Sequence, residues 1–390
     1  RVHFGHAFSW SALQERKAGA ARHLGLNLRR QFHGARHMHP YLGFTIWTKA
    51  PDGADQTCNT NAWGAFGDFA LEGTPANQVN VLVTGGSFAT DAFCNAKGTL
   101  ARLLGELPAY KGRPINLFPI THGGYTQPQQ LLALSYYLSL GGKLDLVINI
   151  DGFNELNGTV DVGASGVHPS FPGFWRSMVG DQLRAGMVEP RFQIMTAQRR
   201  RQLAARVHGR LSFSVTAGLL WALLDQGLDS AIKEQTWALK KLLTDEGTAP
   251  GWLAGGPPHA GDLLAYGARL WFNGVTQMGA LAQNNGFHVF SFLQPNQYLE
   301  GAKPMSAEER KVAIHTGSSA AKSVTQGYPK LRTLAKNLRG PRLVFTDLSY
   351  LFKEVSDPLY IDNCCHVNAS GYDMVMDEVA RVVSRHLTPR

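Results

Sequence analysis

The stretch from residue 79 to residue 150 constrains this chain most, because short apolar runs and amphipathic runs alternate along it. Val79-Asn80-Val81-Leu82-Val83 is a β-branched run that reads as a buried strand, and Thr84-Gly85-Gly86-Ser87 follows it as a turn. A helix is expected from about Ser87 to Leu107, a strand over Ile115 to Ile120, and a turn at His122-Gly123-Gly124-Tyr125. A helix over Gln129 to Leu140 and a strand over Leu144 to Ile150 come next. That last run is apolar almost throughout, as a strand covered on both faces must be. Strand, helix, strand, helix, strand predicts a parallel sheet with right-handed crossovers, and therefore an α/β fold.

Beyond residue 170 the alternation stops, and a mainly helical insertion is expected over about 171 to 262. Within it, Leu211 to Leu224 is strongly apolar but too short to cross a bilayer. A core helix is the default reading, with a lid or an interfacial segment as alternatives. Strands return at Phe287 to Leu293 and Leu343 to Thr346. Between them Ser306-Ala307-Glu308-Glu309 reads as a capping box opening a long helix. A final helix carries Val375, Val379, Val382, Val383 and Leu387 on one face. Residues 1 to about 75 show little periodicity and are expected to form an irregular lead-in packed on the main domain, 76 to 390.

The chain has 390 residues, 44% of them hydrophobic and 17% charged. That composition excludes disorder and suits one large domain with an insertion. The formal net charge is +9. No zinc-finger spacing, aromatic RNA-binding signature or basic-region heptad accompanies it, so a solvated basic face is expected and nucleic acid is not. The sequence starts at Arg1, which leads to the expectation of an upstream segment and of an exported or membrane-anchored protein, with peripheral attachment also open. Oligomeric state is not legible.

Cys58, Cys94, Cys364 and Cys365 match no zinc spacing and are too few for a disulfide scaffold. Either Cys94 links to Cys364 or Cys365, or the thiols are free and buried.

Four segments carry chemistry because each stands at a strand end or before a helix. They are Gly85-Gly86-Ser87, Gly123-Gly124-Tyr125, Asp151-Gly152-Phe153-Asn154-Glu155 and Asp362-Asn363-Cys364-Cys365-His366. In open parallel sheets, ligands bind beyond the carboxyl ends of the strands. Together these segments offer a nucleophile, a base, a group to orient the base, and donors for an oxyanion.

In this order the four segments resemble the blocks of the SGNH hydrolases, also called GDSL-like lipases and esterases. The resemblance implies a flavodoxin-like α/β/α sandwich and an acyl-serine mechanism. It puts the nucleophile at Ser87 and the general base at His366, with an oxyanion hole from Ser87, Gly124 and Asn154. Departures are visible. Gly86 replaces an aspartate, Glu155 stands where aspartate is commoner, and Asn363 occupies the place three before the histidine where the acid usually stands. Asp362, four before, is the expected acid; the alternatives are Asn363 or a Ser-His dyad. Tyr125 and Gln294 are candidates to line the cleft. His122 reads as a hydrogen-bonded turn residue. No metal or organic cofactor is implied.

The implied substrate is a small-molecule or glycan ester, such as an O-acetyl group, with lipid and aryl esters also open. An O-acyltransferase would use the same residues, and a catalytically inactive carbohydrate-binding protein is the reading from another class. An α/β-hydrolase is disfavoured. Ala89 breaks Gly-x-Ser-x-Gly, and His122-Gly123-Gly124 follows the serine instead of preceding it.

Overall fold

A computed structural model describes residues 35–47, 60–61, 77–164, 166–175, 188–210, 214–245 and 261–387. Two strands near the start, β1 (Ala35–His39) and β2 (Gly43–Trp47), pair antiparallel. The remaining strands are β3 (Val79–Gly85), β4 (Ile115–Thr121), β5 (Leu146–Asp151), β6 (His288–Leu293) and β7 (Leu343–Asp347). They form one parallel sheet in the order β4-β3-β5-β6-β7. This is the flavodoxin-like doubly wound order, in which the winding reverses between the first strand and the third, here β3 and β5. In open sheets of this kind, ligands bind outside the carboxyl ends of the strands at that point.

Helices pack on both faces of the sheet, and a further pair, the fourth and fifth in chain order, packs chiefly on itself. They are α1 (Ser87–Gly105), α2 (Gln129–Ser139), α3 (Phe153–Ala164), α4 (Val188–Arg210) and α5 (Val215–Asp245). The others are α6 (Leu263–Asn285), α7 (Ala307–Ala313), α8 (Ser319–Ala335) and α9 (Ala369–Leu387). Strand side chains alternate between faces. Val79, Val81 and Val83 therefore share a core with Phe88, Leu100, Val375 and Val379 of α1 and α9. Leu82 and Val147 point the other way, into a core with Leu134 of α2 and Met278 of α6. Phe153, Trp271 and Leu331 extend that second layer through α3, α6 and α8. Three layers result, and the α/β/α expectation is met.

Several local expectations are corrected. Within the lead-in, residues 35–47 form a hairpin, and Phe44 is fully buried; residues 1–34, 48–59 and 62–76 lie outside the described residues. Ser306 caps a short helix, not a long one: α7 ends at Ala313, and Ser318 caps α8 separately. The box itself is also incomplete at Glu309. Its own N–H takes the Ser306 hydroxyl, but its carboxylate pairs with Lys303 and accepts the Leu359 and Tyr360 N–H groups, so the box never closes. The apolar run read as a core helix lies largely on α5, where Leu220, Leu223 and Leu224 are exposed; residues 211–213 lie outside the described residues. It is not core.

Candidate active site

β3 ends where only glycine fits. A Cβ on Gly85 would stand 2.1 Å from the Ile150 carbonyl oxygen, and its φ of +145° is one that L side chains rarely adopt. The chain passes through Gly86 directly into α1, and no side chain caps that helix. The first N–H groups of α1, starting with Ser87, are thus left for a ligand, at the positive end of the helix dipole.

Ser87 is half-buried, and its Oγ lies 2.8 Å from Nε2 of His366, 279 residues later. The Nδ1 of the same ring lies 2.7 Å from Oδ2 of Asp362. A carboxylate at Nδ1 holds the proton there and leaves the Nε2 lone pair facing the hydroxyl. The other oxygen of Asp362 accepts the N–H groups of Cys364, Cys365 and His366 at 2.9, 3.1 and 3.3 Å. That wrap brings a carboxylate four residues back onto the ring. Asn363 is exposed and contributes its carbonyl to the Tyr298 hydroxyl. The orienting position is filled by Asp362. The Ile361 N–H donates to the His366 carbonyl, and Tyr360 bridges to Val367, closing the loop.

Electrostatics follow from this geometry. Burial works to raise the Asp362 carboxyl, but the His366 ring and the loop amides prevail and hold it down at about 2. Burial works to lower His366, yet the hydrogen bond from its ring to Asp362 and the nearby Cys364 and Asp91 prevail, pushing it up to about 10. Asp91 sits on α1 one turn beyond Ser87 and accepts a hydrogen bond from Tyr372 at 3.3 Å.

Asn154 opens α3, and its side-chain amide donates to the Tyr125 carbonyl at 2.9 Å. The same Nδ2 would lie 2.1 Å from a Cβ on Gly86. Three loops, after β3, β4 and β5, therefore meet around one amide. Gly124, with φ of +89°, lies under the ring of Phe174, whose Cε2 would be 2.6 Å from a Cβ there.

Two expected cleft residues are corrected. Tyr125 is fully buried and donates its hydroxyl to the Phe44 carbonyl at 2.7 Å; it packs under the cleft. Gln294 is 3% exposed, its N–H held by the Asp151 carbonyl and its own carbonyl by the Tyr328 hydroxyl. Both belong to the floor. His122 is buried edge-on against Tyr125, with ring centroids 5.0 Å apart. The cysteine expectation splits. Cys94 is disulfide-bonded, but Cys364 and Cys365 are free, so neither is its partner.

Sequence reasoning missed the support beneath these loops. Buried Glu155 accepts the Gly152 N–H on one oxygen and the Gln127 N–H and Gln130 amide on the other, at 2.7, 3.1 and 2.8 Å. Beside it, buried Asp151 accepts from Trp271 and Asn149. Burial raises both carboxyls, Asp151 to about 6 and Glu155 to about 8, and the Asp151 charge adds to the second shift. A signal was present: two carboxylates flanking one turn at a strand end.

No protein-family model matches the chain, and no curated protein matches it. Among solved structures, the chain is similar to a GDSL-like lipase from Bacteroides thetaiotaomicron at 12% identity, covering 80% of this chain and 93% of that one, with a TM-score of 0.35. It is similar to an acetylxylan esterase from Geobacillus stearothermophilus at 11% identity, 80% and 97% coverage and a TM-score of 0.35. A lipase from a goat rumen metagenome aligns at 10% identity, 79% and 98% coverage and a TM-score of 0.33. The doubly wound α/β/α architecture itself stands on the strand order and the two helix layers described above.

Proposed function

We propose that the protein is a serine hydrolase of carboxylic esters, acting through an acyl-Ser87 intermediate. The observation that carries this reading is the continuous relay from Ser87 Oγ through both nitrogens of His366 to Asp362. As the Ser87 oxygen attacks the ester carbonyl, its proton passes to Nε2, and Asp362 stabilises the imidazolium that forms. Negative charge on the former carbonyl oxygen is received by the N–H groups of Ser87 and Gly124 and the amide of Asn154. Collapse expels the alcohol, which takes the proton from His366. Water, activated by the same base, then releases the acid and restores the serine.

The substrate class that fits is a small-molecule or glycan ester with a short acyl group, such as an O-acetyl. Phe174 supports this choice. It covers Gly124 and has φ of +67°, a conformation an aromatic residue adopts only at some cost, and a long acyl chain would have to displace it. The Cys94 disulfide suits an oxidising compartment and supports an exported or membrane-anchored location.

A fluorophosphonate probe tests the mechanism. The expected result is a single covalent adduct on Ser87, absent from Ser87→Ala and from denatured protein. Folded protein that stays unlabelled, or label that persists in Ser87→Ala, overturns the reading.

A further inference from the structure

Directly before His366, two thiols lie side by side. Cys364 Sγ is 3.0 Å from Cys365 Sγ, and both are free. One ligand atom from each of Cys364, Cys365 and His366 falls within 4.8 Å of the others. From this juxtaposition we propose that Cys364, Cys365 and His366 form a binding site for a thiophilic divalent cation of the zinc or cadmium type, and that occupation stops ester hydrolysis by drawing His366 away from Ser87. The inhibitory half rests on the function proposed above; the binding half does not.

The donor set is two sulfurs and one imidazole nitrogen, which suits borderline and soft cations and not magnesium or calcium. The cation replaces two thiol protons, which leave to solvent, and takes the lone pair of one ring nitrogen. Asp362 already holds Nδ1, so the nitrogen left to the cation is Nε2, the one that faces Ser87. A carboxylate on the far nitrogen is the arrangement that metal-binding histidines ordinarily have. Cys364 is half-buried and Cys365 buried, so a cation approaches from the Cys364 side.

Geometry favours a cation over a disulfide between the two neighbours. With metal–sulfur bonds of ~2.3 Å and tetrahedral angles, the sulfurs would stand about 3.7 Å apart, a small opening from their present spacing. A disulfide needs closure to about 2.05 Å and a twist of the peptide between the two residues. Both of their N–H groups are pinned on Asp362 Oδ1, which opposes that twist. The carbonyls of Asp362, Asn363 and Cys364 are held as well, by Gln297, Tyr298 and Asn296. The donors are thus set before the cation arrives, and little ordering cost remains.

Cadmium alone is the first probe, because sulfur-to-cadmium charge transfer reports binding without activity. One equivalent should produce the ultraviolet band in wild-type protein and equally in Ser87→Ala, and the band should be lost in Cys364→Ser and in Cys364→Ala. Zinc should lower hydrolysis of a chromogenic ester by about tenfold or more in wild type, reversibly with chelator. Relative to its own zinc-free rate, Cys364→Ser should change less than about twofold. No band in wild type, or a band that survives both Cys364 substitutions, overturns the site. A band without loss of hydrolysis in wild type overturns the inhibition. If no form of the protein hydrolyses any ester, the proposed function fails, and the band still decides the site.

Discussion

Oδ1 of Asp362 gathers three successive N–H groups, and that wrap sets how His366 stands. Asp362→Asn keeps the shape but can present an amide N–H to Nδ1, favouring the wrong tautomer; kcat should fall by roughly 10³–10⁴. Steady-state kinetics on a chromogenic ester checks this, with Asn363→Ala as the control expected near wild type. The pH profile should move as well. As the proposed base His366 acts only when neutral, and Asp362 gives the largest of the influences that raise its pKa above the ordinary value. Whatever rate Asp362→Asn retains should therefore rise to its plateau at lower pH than in wild type; an unmoved acidic limb would count against the pairing. Gly86 gives a second residue-scale prediction. Its missing Cβ is the space that the Asn154 amide occupies, so Gly86→Asp should displace the proposed oxyanion donor and cost ~10²–10³ in rate with the fold retained. Ser87 and Asn154 were legible as candidates because each follows a strand at the start of a helix, and His366 because it precedes the last helix. Asp362 was the expected acid, with Asn363 open as an alternative, and the geometry agrees with that choice. The choice turns on how three amides curl around one oxygen, and spacing alone does not encode that.

Two buried carboxylates do the equivalent work between elements. Glu155, in the first turn of α3, ties the turn after β5 to the loop before α2, and so holds Asn154 and Gly124 in register. Because its folded pKa is raised, the native state binds more protons than the unfolded chain between pH 4.5 and about 8. Stability from this group is fully present below 4.5 and is lost as pH rises through about 8. Glu155→Gln should flatten that fall in a series of thermal melts across the window. An unchanged slope would mean that the carboxyl titrates normally. Further along, Glu309 and Lys303 form an ion pair with no exposed side-chain surface, and Glu309 also holds the Leu359 and Tyr360 N–H groups that lead into the Asp362 loop. Removing one partner strands a buried charge, so Glu309→Gln should cost about 3–5 kcal/mol in denaturant unfolding. Adding Lys303→Met should recover much of it, since the glutamine carbonyl still serves both amides. From the sequence, Ser306 and Glu309 read as a capping box, and half of that was right. Local pattern gives the cap, whereas the pull of a buried lysine and two distant amides decides where the carboxylate goes.

At the scale of the whole molecule, the sheet order places Ser87 and Asn154 just beyond the ends of the adjacent strands β3 and β5, at the point where the winding reverses. The C-terminal helix α9 packs on α1, which returns His366 to Ser87. Strand-helix alternation made this much legible, because both periods are strong where both faces are covered. The hairpin of α4 and α5 was legible only as helical. Its two helices pack chiefly on one another, and Arg201 joins them by pairing with Asp225 and Asp229. Phe192, Leu203, Leu220 and Leu223 stay exposed, so an apolar run that reads as core from composition is not core here. A helix pair that buries its own seam contributes little to the cores on either side of the sheet. Replacing residues 188–245 with a short Gly-Ser linker should therefore leave the α/β/α body folded, with melting within a few degrees of the full chain and Ser87 still labelled by the fluorophosphonate. Loss of cooperative unfolding in that variant would show that the hairpin is structural after all. Retained labelling with a changed ester preference would instead give the hairpin a part in choosing the substrate.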